Sequence, residues 1–587
     1  MTDISRRALL GSAAVMAAAT GLPAAPASAS TRSTAAGAAS GARWPAPAAW
    51  RSLDSQVGGR LIRTQLPWVN ATPETFELLK NPFWNEEQPG ALQSTGWYKA
   101  WTAVASPYAV RAQSTADIVA AVNFARDNDV KLVVKGTGHD YLGRNCAPRS
   151  LLVWTHDMRT ITLHDAFLPK GAPAGTTPVE AMTVEAGTRW LEAYKAATDA
   201  GRFVAGGGCT SVGACGGFTF GSGFGPFSKR YGTGSGGIVQ AEIVTADGKV
   251  HVVNEFSEPD LFFAVRGGGG STYGIVSRVT LLMHPIPSTV GIITGSVTAS
   301  SDAAYRELIQ RFCEFYPVGL DNWHWGESVA FGPDNELGFR LTFLDMPEAE
   351  GRAVLEQFVG PLRERPEDFT VAPSIDFLDF KNLWNPEFWD EHDPDFITRD
   401  PRPGAPEHQF WWTGNQGELG SYWSGYQSRW IQTEDLRVRP AEIADAFFDA
   451  SRLRSFIFQV NKGLSGEHEE ARARDEQTAL NPQCFGAAAL VLMGAAQQYR
   501  YPGVRGKEPS VPLARELADT VNDAMDIIKR ATPGAGSYST EADFFLEDWQ
   551  EAQWGSNYAR LLRIKRRYDP RNFFRVHHGV GSEQRKQ

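Results

Sequence analysis

The 587-residue sequence predicts an α+β protein of two domains, and three observations lead there. Short β-forming runs alternate with helical ones between Ser106 and Pro287. The texture changes after Pro287, where longer amphipathic helices and aromatic runs take over. Glycine, 58 residues in all, is concentrated in two turns that each follow an apolar strand. A hydrophobic content of 42% at this length is ample for more than one core.

The elements follow in order. Ser5-Arg6-Arg7-Ala8-Leu9-Leu10 is a twin-arginine pattern, followed by an apolar stretch to about Leu22 and by Ala27-Ser28-Ala29, a small-residue cleavage pattern. The apolar part is too short for a stable membrane span. Residues 1–29 are therefore expected to be a signal peptide engaging the Tat export machinery, giving a secreted protein. Residues 30–49, rich in Ala, Ser, Gly and Pro, read as a flexible leader. From Trp50 to Trp101 an irregular aromatic segment wraps the first domain, residues 50–287.

Regularity begins at Ser106. Tyr108-Ala109-Val110 is a strand. Ser114 and Asp117 form an N-cap pair ahead of the apolar face Ile118, Val119, Val122 and Ala125. Lys131-Leu132-Val133-Val134 is a buried strand entering the first glycine turn. A helix from Trp190 to Ala200 stops at Gly201, and Phe203-Val204-Ala205 feeds the second turn. Ile238 to Val253 reads as a hairpin around Asp247-Gly248, and Ile275 to Met283 as a further strand. The second domain, 288–529, holds strands at 290–297 and 339–344 and helices at 303–315 and 349–359. Within it Phe410-Trp411-Trp412 is either core or a pocket wall. Residues 530–587 return to the first domain through a short basic helix that ends before Asp569-Pro570.

A net charge of −10 and the lack of a long basic run argue against a nucleic-acid partner. The five cysteines show no CxxC spacing, so no metal site is expected. The first turn, Gly136-Thr137-Gly138-His139-Asp140-Tyr141, can gather backbone N–H groups on an anion such as a pyrophosphate. It lacks both the Gly-Lys-Ser/Thr of a Walker loop and the GxGxxG of a dinucleotide fold. The second, Gly206-Gly207-Gly208-Cys209-Thr210-Ser211-Val212-Gly213, places a second nucleophile 70 residues after His139. Two bare backbone beds, each with one nucleophile, suit a flat ligand, and imidazole and thiolate can both add to an electrophilic flavin ring. No GxSxG hydrolase motif occurs.

Four motifs together resemble the berberine bridge enzyme branch of the vanillyl-alcohol oxidase superfamily, close to its fungal alcohol-oxidase-like members. They are Gly136 to Tyr141, Gly208 to Gly213, Arg266-Gly267-Gly268-Gly269-Gly270, and Asn557 through Asp569-Pro570 to Phe573-Phe574. The resemblance spans roughly residues 100–287 and 535–580. It implies a two-subdomain PCMH-type FAD-binding domain (core about 102–287) and a substrate domain with an antiparallel sheet and helices. It implies bicovalent FAD, through the 8α carbon to His139 and the 6 carbon to Cys209. Thr210 stands where the family has Pro, and Cys215 is a competing second tether. Gly136, Thr137, Gly138, Asp140, Tyr141, Val212, Gly213, Gly217, Tyr231, Gly232 and Ile238 are the further expected cofactor contacts. Asn557 is counted with them and is expected to fix the C-terminal helix.

In such proteins a small residue at the Val212 position goes with oxidases, so molecular oxygen is the expected acceptor for hydride taken from a small-molecule substrate, an alcohol, sugar or secondary metabolite. Tyr538 is the first candidate base; Tyr422, Tyr426 and Glu418 are alternatives. A dehydrogenase or oxidative-cyclisation enzyme, or a flavin-binding protein without turnover, remains the rival expectation.

Overall fold

The computed structural model describes residues 44–583. The expected signal peptide and most of the expected leader lie outside these residues. The last leader residues enter a helix, Pro47–Gln56, where Trp50 stacks on Tyr108 at 4.4 Å and closes the core over the first sheet.

Among the described residues four sheets form. The first has four strands in the order 61–63, 108–111, 150–154, 131–135, with the last three parallel. Helix Thr115–Asp127 covers it and begins as the sequence predicts, Ser114 accepting from the Asp117 N–H. The second sheet is antiparallel and includes the expected hairpin of Ile238–Val244 with Val250–Val253. Its central strand, Ile275–Pro285, runs two residues beyond the expected end because His284 and Pro285 pair with Phe203 and Arg202. These two sheets, with their helices, make up the α+β first half of the chain.

The third sheet has ten strands. Helices Asp302–Gly319, Glu348–Arg363, Pro440–Leu453 and Val511–Ala531 bury an apolar core against one face. Strand Ser421–Gln432 shows how the other face is assigned. Gln427 and Arg429 reach the helix side, donating to Asn522 at 2.7 Å and Thr532 at 2.8 Å. Tyr426, Ser428 and Trp430 point away, toward Tyr141, Ser537 and Phe224. This alternation is the two-residue period of a strand, and it carries aromatic side chains to Tyr141 in the first glycine turn and to Phe224 beyond the second.

One strand joins this sheet from far away in sequence. Ser94–Trp97 runs parallel to Ser421–Trp423, with the Tyr98 N–H on the Trp423 carbonyl at 2.8 Å. The expected irregular wrap thus contributes an edge to the second domain's sheet. Among the described residues no helix is long and apolar enough to cross a membrane.

Candidate active site

The two glycine turns, the 269–276 loop, Glu418 and Lys462 of the second domain, and the C-terminal segment meet around one cavity of about 250 Å³. The turns are tied to each other. Thr137 Oγ1 accepts from the Gly213 N–H at 3.1 Å, and His139 Nε2 lies 3.0 Å from Ser211 Oγ. In the first turn only Gly138 takes a positive φ, +93°, the conformation that glycine adopts without strain. Beneath it Lys135 donates to the carbonyls of Gln88 at 2.6 Å and Ala91 at 2.8 Å, pinning the N-terminal segment to the turn. Asp140 is spent locally, accepting from the Arg144 N–H at 2.5 Å and its Nε at 2.7 Å.

The second turn is held by its carbonyls. Tyr194 OH donates to Gly207 O at 2.6 Å and Trp412 Nε1 to Gly208 O at 2.7 Å. Phe410-Trp411-Trp412 is therefore buried core that clamps the Cys209 turn. A Cβ on Gly206 would overlap the Trp190 ring, so that glycine permits close packing. A Cβ on Gly216 or Gly217 would meet nothing within 4 Å, which leaves bare backbone facing open space.

His139 and Cys209 both border the cavity. Burial holds the His139 imidazole down at about 4, so it is neutral. Its Nε2 is engaged by Ser211; among the described residues Nδ1 has no hydrogen-bond partner. Cys209 Sγ lies 3.5 Å from the same Ser211 hydroxyl. Burial, reinforced by nearby Glu418, pushes the thiol up to about 11. Cys215 also borders the cavity, but it belongs to the apolar core, and burial pushes its thiol higher still. Cys209 and His139 thus share the Ser211 hydroxyl. All five cysteines are free.

Glu418 occupies the wall formed by the second domain. Its Oε2 accepts from Gln93 Nε2 at 2.6 Å and lies 3.5 Å from Tyr141 OH. Its Oε1 is buried with no hydrogen-bond partner among the described residues. Burial pushes this carboxyl up to about 7. Tyr538 borders the cavity, accepting from the Gly223 N–H at 3.2 Å. Tyr426 stands one ring behind, stacked on Tyr141 at 5.2 Å. Tyr422 lies away from the cavity against Gly96. Burial raises all three phenols above their ordinary range, so none is poised to accept a proton near neutrality.

Gly136, Thr137, Gly138, Asp140, Tyr141, Val212, Gly213 and Gly217 border the cavity as the sequence predicts. Tyr231, Gly232, Ile238 and Asn557 do not. Tyr231 packs on Phe203 at 5.0 Å, Gly232 ends the turn Ser228–Tyr231, and Ile238 opens a core strand. Asn557 donates to Leu480 O at 2.6 Å. These four build the walls' support.

Two further charged residues that the sequence reading missed border the cavity: Lys462 and Glu541, paired at 2.5 Å. Glu541 could have been found from its place three residues after Tyr538; Lys462 carries no sequence signal of its own. The C-terminal motif is a clamp. Lys565 Nζ reaches Asp569 and the carbonyls of Thr272 and Phe574, each at 2.6 Å, fastening the loop that borders the cavity. Open backbone at Gly216 and Gly217, an available His139 Nδ1 and Cys209 around one cavity fit a flat, elongated cofactor such as FAD.

Comparison with known proteins agrees with this geometry. Residues 106–254 match the family model described as FAD binding domain, and residues 537–581 the model described as berberine and berberine like. An FAD-linked oxidoreductase of Arthroderma benhamiae is 29% identical, covering 92% of this chain and 93% of that one. The crystal structure of a VAO-type flavoprotein from Myceliophthora thermophila C1 superposes with a TM-score of 0.75 at 24% identity, covering 93% and 97% of the two chains. A glucooligosaccharide oxidase from Acremonium strictum, described with a 6-S-cysteinyl, 8α-N1-histidyl FAD, superposes at 0.61 with 19% identity over 82% and 93%. The chain is an FAD-linked oxidoreductase that carries an FAD binding domain and a berberine-like C-terminal segment, and it is similar to VAO-type flavoproteins.

Proposed function

We propose that this protein is an exported oxidase that removes hydride from a carbon bearing a hydroxyl, on an alcohol or a carbohydrate, and delivers the electrons to molecular oxygen as hydrogen peroxide. The observation that carries it is one cavity bordered by His139, Cys209 and a carboxyl, Glu418, held at about 7.

His139 Nδ1 and Cys209 Sγ would hold FAD covalently, the attachment described for the Acremonium strictum relative. The remaining bare backbone, Gly136 to Gly138 and Gly213 to Gly217, would lie along it. Bound FAD supplies the hydride-accepting ring and the onward reaction with dioxygen. Glu418 takes the proton from the substrate hydroxyl as hydride departs, through the oxygen that has no partner in the protein. Gln93 and Tyr141 orient that carboxylate through its other oxygen. The small Val212 side chain at the cavity wall favours oxygen access. The pattern at Ser5 to Leu10 and Ala27 to Ala29 supports twin-arginine export with cleavage after Ala29.

The test is peroxide release on exposure to a panel of primary alcohols and oligosaccharides, run beside dye reduction under nitrogen. Peroxide formed in step with substrate oxidation is expected. Dye reduction without peroxide would make the protein a dehydrogenase, and no reduction with any substrate would contradict turnover.

A further inference from the structure

The double attachment needs a nucleophilic sulfur, and the cavity makes one scarce. Burial pushes the Cys209 thiol up to about 11, and the thiolate is the attacking form. Ser211 opposes that burial from both sides, its hydroxyl and its backbone N–H each favouring the thiolate. Ser211 is 1% exposed, and among the described residues its hydroxyl has two partners: Cys209 Sγ at 3.5 Å and His139 Nε2 at 3.0 Å. A single hydroxyl thus stands between a thiol and an imidazole whose other nitrogen is available for attachment.

We propose that Ser211 is the proton relay that activates Cys209 for its own attachment, passing the thiol proton to Nε2 of His139. The inference rests on the double attachment proposed above. In the step, the Sγ–H bond breaks, Ser211 Oγ takes that proton and gives its own to Nε2, and the sulfur electron pair forms the bond to the flavin C6 carbon. C6 loses its hydrogen as a proton. The two electrons left on the ring pass to dioxygen, which with two protons leaves as hydrogen peroxide. His139 serves twice and in order: Nδ1 makes the first tether, and Nε2, freed of its own proton by that bond, receives the proton for the second. A serine hydroxyl can do this because it donates and accepts at once.

The experiment follows attachment itself and not turnover. Protein from riboflavin-starved cells is loaded with FAD in air, quenched at intervals and digested, and the masses of the Cys209 and His139 peptides are read. In S211A the His139 peptide is expected to gain flavin while flavin on Cys209 appears about 100-fold more slowly, the lower range of a positioned proton acceptor. Ser211→Thr, which keeps the hydroxyl, restores most of the rate. H139A, which removes the acceptor, slows the Cys209 peptide likewise and carries the test if S211A does not take up FAD. Cys209 labelled at the wild-type rate in S211A or H139A would overturn the relay. A wild-type digest without flavin on Cys209 would overturn both the double attachment and the relay; a wild type carrying both labels isolates the failure to the relay.

Discussion

Glu418 is the side chain on which turnover depends in this account. Its carboxyl is buried, oriented at one oxygen by Gln93 and open at the other. Burial disfavours the ionised form and pushes the group up to about 7, where a general base works best at neutral pH. The base form is the deprotonated one, so kcat/KM is expected to fall as pH drops through about 7 and to level off above it. E418Q keeps the shape and loses the proton acceptor. Its kcat is expected to drop by about 10²–10⁴-fold with FAD content unchanged, and its pH profile to lose the limb near 7. Stopped-flow reduction across pH 5–9 checks both. His139 and Cys209 were legible in the sequence because each is a lone nucleophile in a run of glycines. The poise of Glu418 was not. It comes from burial that no local pattern encodes, while the orientation of the carboxyl comes from Gln93, 325 positions away. The tyrosines looked like better bases in sequence, yet burial moves them the wrong way.

At the scale of elements, the site is two turns held by side chains from elsewhere. Trp412 lies on the short strand Phe410–Trp412 and donates to Gly208 O, beside the cysteine. Trp412→Phe fills most of the same space but leaves that buried carbonyl unpartnered, a cost of about 1–3 kcal/mol. A lower denaturation midpoint is expected, together with less flavin on Cys209 than on His139 by peptide mass. An unchanged midpoint would mean that the turn is held by Tyr194 and packing alone. The helix Thr115–Asp127 and the strands on either side of the turns were readable, because their caps and apolar periods are local. The Ser94–Trp97 strand was not, because its partner is Ser421–Trp423 and its four residues have no period to show. The role of Phe410-Trp411-Trp412 was ambiguous for a related reason: an aromatic run reads alike in a core and in a pocket wall. Only the bond from Trp412 to Gly208 separates them.

At the scale of the molecule, distant segments converge on one cavity: the two glycine turns, and Glu418 on the turn Thr413–Glu418 that leads into the ten-stranded sheet. The C-terminal segment locks them, with Lys565 and Asp569, both nearly fully buried, joining the basic helix to the Thr272 loop. The α+β class could be read from texture, but the closing of distant segments over a common site required long-range pairing. The convergence has one direct chemical consequence. If both turns hold the same FAD, the flavin cannot leave when the fold is destroyed. The decisive measurement is acid precipitation of the purified protein, followed by flavin absorbance of pellet and supernatant. A yellow pellet is predicted for the wild type and for each of H139A and C209A, with a colourless pellet only when both are replaced. Flavin released into the wild-type supernatant would contradict covalent attachment, and a pellet that stays yellow in the double variant would place the attachment elsewhere.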